Sequence, residues 1–131
     1  MSTGCTHHRG PFDWAKQMEY SQAVVSDGVI YVSGQFGADE HGDVISDDFT
    51  EQAHATFVNL GQVLDTAGGS LSSLLHLRAF LLRSEDYPAF KAVRGQFVTG
   101  PSYPASTIVQ TGGFVFPGML VEVEAVARVI G

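Results

Sequence analysis

Cysteine is almost missing from this 131-residue chain: Cys5 stands alone, so no disulfide can close within it. A reducing compartment, the cytoplasm, is the expectation. Basic side chains are also scarce, seven against fourteen acidic ones, for a net charge of −7. That balance argues against a broad nucleic-acid-binding or anionic-membrane surface. No apolar run approaches transmembrane length, and no basic segment followed by an apolar one opens the chain. Linkers, repeats and low-complexity stretches are absent as well.

What is present is 44% hydrophobic residues, enough for one core, in a length too short for two ordinary domains. Residues 1–19 show no sustained period and predict a loose arm; residues 20–131 predict a single domain. Within the arm, His7 and His8 lie near Cys5 without a second spaced ligand pair, so a metal site is not expected. Trp14 is a candidate anchor of the arm onto a neighbouring subunit.

Two β-rich segments, Tyr20 to Val25 and Val29 to Gln35, flank Ser26-Asp27-Gly28, and Asp-Gly supplies the positive φ angles of a tight hairpin. The second segment ends in Ser33-Gly34-Gln35, where the glycine permits close approach of a ligand or another strand. Asp48 with Glu51 forms a capping-box pattern. Behind it Phe49, Ala53, Phe57, Leu60, Leu64 and Ala67 make one apolar helical stripe that stops at Gly68-Gly69. Leu74 to Leu82 predicts a strand apolar on both faces, implying helices over one face and a partner subunit over the other. A second helix opens at Ser84 to Asp86, buries Phe90, Val93 and Phe97, and leaves Lys91 and Arg94 on its other faces. Two more strands follow Pro104. The order β-β-α-β-α-β-β describes an α+β fold with a mixed sheet and both helices on one face.

The last strand alternates strictly: Val121, Val123, Ala125 and Ala127 point one way, Glu122 and Glu124 the other. At i and i+2 the carboxylates stand about 7 Å apart, close enough for each to raise the other's pKa on a shielded face. Arg78 on the preceding strand needs an acid, and either glutamate would serve.

Tyr20-Ser21-Gln22-Ala23, Val29 to Gln35, Gln52 with Phe57-Val58-Asn59-Leu60, Pro104-Ala105 with Thr107, and Val121 to Ala127 together resemble the RidA/YjgF (Rid) family, also called endoribonuclease L-PSP. The resemblance covers Tyr20 to Arg128. It implies a chorismate-mutase-like fold of the bacillus type and a homotrimer with sites in the clefts between subunits. It also implies water attack on imines and enamines, releasing ammonia without a metal or organic cofactor. Glu122 matches the acid that positions the water, and Tyr20, Ser33 and Gly34 match cleft-lining positions. The deaminase branch carries an arginine after Pro-Ala; this chain has Ser106, and a neutral hydroxyl does not replace a bidentate cation. A family asparagine on the second helix corresponds to Lys91.

The resulting expectation is a small-molecule hydrolase or deaminase, with Glu122 catalytic and Tyr20, Ser33, Gly34, Ser106 and Thr107 contacting a substrate other than a plain 2-imino acid. Lys91 and Arg94 are the candidates to restore a cation. The alternative is a trimeric metabolite-binding or regulatory protein without turnover. The acidic charge disfavours a ribonuclease, so neither nucleic acid nor a membrane is expected as a partner.

Overall fold

The sheet is seeded at Asp27 and Gly28, whose φ angles of 52° and 77° close a two-residue turn between β2, Ala23–Ser26, and β3, Val29–Gln35. A computed structural model describes residues 4–130. The remaining elements are β1, Thr6–His8; α1, Phe49–Thr66; β4, Leu74–Leu81; α2, Tyr87–Phe97; β5, Ala105–Gln110; and β6, Val121–Arg128. Six strands form one mixed sheet in the order β1-β2-β3-β6-β4-β5, antiparallel except where β5 runs parallel to β4.

The start of the chain corrects the loose-arm expectation, and the element order gains a strand in front. Thr6–His8 adds an edge strand to β2, pairing Thr6 with Val25 and His8 with Ala23. Asp13–Gln17 forms a 3₁₀ turn that presents Trp14 to its own chain, stacked on Phe12 with ring centroids 5.7 Å apart and edge-on to Phe36 at 5.9 Å. Three residues are too few to show an alternating pattern, so this strand exists through its ladder to β2. The first three residues of the arm lie outside the described part of the chain.

Helix α1 starts where Asp48 accepts a hydrogen bond from the Glu51 amide at 2.9 Å. It ends in a left-handed Gly68, with Gly69 N–H donating to the Leu64 carbonyl and Gly68 N–H to that of Asp65. Asp48→Ala is expected to cost about 1 kcal/mol in denaturant unfolding, the usual value of an N-cap. The predicted stripe is buried against β3 and β6. Phe57, fully buried, stacks on Phe97 at 5.4 Å and tilts against Phe90 at 5.7 Å, which locks α2 to α1.

Both helices cover one face of the sheet, where Val121, Val123, Ala125 and Ala127 meet Leu77, Ala79 and Leu81. On β4 the frame slips between Leu74 and His76, so Leu74 is buried and Leu75 exposed, breaking the simple alternation expected there. The other face is bare in the single chain and carries Tyr31, His76, Arg78, Phe80, Glu122 and Glu124. Among the described residues, no helix is long and apolar enough to cross a membrane.

Candidate functional site

Strand β6 places Glu122 on the bare face by strict alternation, and the neighbouring strands decide its surroundings. On one side it stands opposite Phe80 of β4. On the other side β3 bulges: Val32 pairs with Ala125 and Gln35 with Val123, leaving Ser33 and Gly34 to span the place of Glu124 alone. Gly34 is where the carboxyl fits, since a β-carbon there would lie 2.6 Å from Glu122 Oε2. The glycine noted in the sequence therefore makes room for a side chain of the adjacent strand.

The two glutamates have unequal environments. Arg78 Nη1 donates to Glu124 Oε2 at 3.4 Å, so Glu124 takes the available cation. Glu122 has neither a hydrogen bond nor an ion pair among the described residues. Burial raises its pKa above the ordinary 4.5, and the charge of Glu124 adds to the shift. The result is a half-buried carboxyl that retains a proton more readily than usual and has both oxygens free, as a group that exchanges protons requires.

Ser33 and Tyr20, the other residues expected to line this cleft, play different parts. The Ser33 hydroxyl donates to the Ser21 carbonyl at 2.7 Å, which fixes the segment leading out of Tyr20 and leaves the oxygen lone pairs to accept. Tyr20 is 42% exposed. Gln35 plays a structural part, donating to Gln22 Oε1 and the Ser33 carbonyl. Gln52, fully buried, bonds the Ser46 and Gly118 carbonyls and the Leu120 amide, and so holds the loop that feeds β6.

Ser106 belongs to a different place. Register pairs Ser106 with Leu77 and Thr107 with Arg78, so Ser106 faces the helices while Thr107 lies on the bare face. There Thr107 Oγ1 is 3.5 Å from His76 Nε2. On the helix side, Arg94 Nη1 donates to Ser106 Oγ at 3.4 Å, and Lys91 lines the same groove. The chain thus assembles two groups on opposite faces: Glu122 with Gly34, and Ser106 with Arg94 and Lys91. Sequence reasoning missed Phe80 as the apolar neighbour of Glu122 and Tyr103 beside Ser106; only strand register and loop packing reveal them. Phe114 and Phe116, in the loop before β6, border the small cluster of Phe36, Ala38 and Met119.

Comparison with known proteins adds three observations. The family model described as Endoribonuclease L-PSP matches residues 14–129. Protein mmf2, mitochondrial, from Schizosaccharomyces pombe is 36% identical over 110 residues, covering 82% of this chain and 86% of that protein. Among solved structures, yeast Mmf1 superposes with a TM-score of 0.86 at 22% identity, covering 97% of this chain and all of that one. Rv2704 of Mycobacterium tuberculosis, a member of the YjgF/YER057c/UK114 family, gives 0.81 at 24% identity over 96% of this chain and all of its own. At these identities the two structures speak for the fold.

Proposed function

Because the chain belongs to the endoribonuclease L-PSP family, also known as YjgF or Rid, we propose that it is a small-molecule hydrolase or deaminase in which Glu122 handles the water that attacks an imine or enamine carbon. The observation that carries this reading is the state of Glu122: partly desolvated, without a hydrogen-bond or ion-pair partner among the described residues, and fitted against Gly34. A carboxylate whose pKa burial has raised takes a proton from water and returns one to a leaving nitrogen. Ser33, Tyr20 and Thr107 offer neutral hydrogen bonds to the substrate.

In this reading residues 20–131 act as one domain, and the working unit is a homotrimer in the cytoplasm. The bare sheet face of one copy, with Glu122, meets the β5 edge of the next, with Ser106. The separation of the two groups on opposite faces of each chain supports a site between subunits, as does the exposed apolar surface of Tyr31, Leu75 and Val109. A monomer in light scattering would remove this arrangement.

The functional test is ammonia release from imines and enamines generated in place, with and without a carboxylate. Acceleration of at least one is expected, together with slow turnover of iminopyruvate, because Ser106 stands where the deaminases carry arginine. Turnover of iminopyruvate as fast as by an arginine-bearing homologue would refute the argument from Ser106. Gly34→Ala provides a local check. Its methyl meets the flexible end of Glu122, so stability should hardly change while kcat/KM falls by on the order of tenfold to a hundredfold through misplacement of the carboxyl. The second reading, a trimeric binding protein without turnover, draws on the same serine, and metabolite binding with no accelerated substrate would favour it.

A further inference from the structure

The scarce positive charge of this chain is spent unevenly. Lys16, Arg78 and Arg83 pair with Asp13, Glu124 and Asp86. Arg94 has no acidic partner among the described residues, although it is half-buried. Its guanidinium lies 5.7 Å from the centre of the Phe90 ring and donates to Ser106 Oγ, which leaves most of its N–H fork unused. Lys91, one helical turn away, lines the same hollow of about 430 Å³ between α2 and β5, with the hydroxyl-bearing Thr99 and Tyr103. A second hollow of about 580 Å³ shares Arg94 and Ser106 and extends the trough to Tyr87. No carboxylate lines either one.

We propose that this α2–β5 trough binds a small organic dianion, with Arg94 as the bidentate anchor and Lys91 as the second charge. A half-buried guanidinium without a counter-ion among the described residues is a strong attractor for a planar or tetrahedral oxyanion. In a chain of net charge −7, two cations facing one hollow free of acids concentrate positive potential that the rest of the surface lacks. Ser106 then has a positive role: its short side chain leaves room for the helix-borne guanidinium and orients it. The trough reaches past Arg94 toward both Tyr87 and Tyr103, so the ligand has an organic body beyond its charged group. This inference rests on the small-molecule reading of the family but requires no turnover.

The test is calorimetric binding to the intact protein of two matched pairs: phenyl phosphate against methyl phenyl phosphate, and succinate against succinamate. At least one dianion is expected to bind about tenfold or more tightly than its singly charged partner, with affinity falling as salt rises. Arg94→Gln should weaken that dianion by about tenfold or more, Arg94→Lys by less, and Lys91→Gln by several-fold. Lys16→Gln, the same charge change on the N-terminal segment, should leave affinity unaltered, and melting curves show whether each variant is folded. Equal affinity for both members of each pair, or an affinity indifferent to Arg94→Gln in a folded protein, would overturn the proposal. Dianion binding without imine turnover would leave this inference standing and remove only the hydrolase reading.

Discussion

Glu122→Gln is expected to reduce turnover of an accepted imine or enamine by on the order of 10²–10⁴-fold, the usual contribution of a positioned acid–base group. Glutamine preserves shape and neutral polarity, so the loss isolates proton exchange. In the parent protein the attacking water needs the carboxylate form, and kcat should therefore rise with pH through the elevated pKa of Glu122. Stability runs the other way. A carboxyl whose pKa is raised by folding binds its proton more tightly in the native state, so its contribution is complete below the ordinary value of 4.5 and lost as pH climbs through the folded value. Glutamine cannot ionise. The variant should thus lack that decline and be at least as stable as the parent at neutral pH, a stability cost tied to function. Melting temperature and turnover measured on the same pH series read both effects, and unaltered turnover in the glutamine variant would remove Glu122 from the chemistry.

Phe57→Ala carries the largest expected cost in stability, about 3–5 kcal/mol in denaturant unfolding. The ring is fully buried and lies between Phe90 and Phe97. Its removal strips ring contacts that join α1 to α2 and leaves a cavity in the core. For a chain of this length such a loss lowers the melting temperature by on the order of 10 °C or more. The effect should reach the trough too, because Lys91 and Arg94 ride on α2. A cost below about 1 kcal/mol would mean that the two helices repack freely, and α2 would then be a poor platform for an anchoring guanidinium.

The elements were legible wherever a pattern repeated. The stripe from Phe49 to Ala67, its Asp48 cap and its Gly68 stop each follow from a local rule, and the helix bears them out. The same holds for the Asp27-Gly28 hairpin. Shorter features escaped: Thr6–His8 is a strand because β2 offers a ladder, and Trp14 packs inside its own chain because Phe12 and Phe36 meet it there.

The candidate site divides along the same line. Alternation alone put Glu122 and Glu124 on one face of a strand, and the uncharged Ser106 directly after Pro104-Ala105 was plain in the sequence. Which glutamate meets Arg78 depends on the β4–β6 register, where a shift of two residues along the strand would exchange Glu124 for Glu122 as its partner. Which face holds Ser106 depends on where the helices lie, and that is set by burying the apolar stripes of α1 and α2 together. Sequence determined the chemistry on offer: an acid on a strand, a glycine three strands earlier in the chain, a serine in place of a cation, and an arginine on a helix. Tertiary structure decided the company each one keeps. Glu122 is seated in the Gly34 bulge and Arg94 is laid against Ser106, because contacts between residues far apart in the chain follow from packing and register rather than from any local pattern.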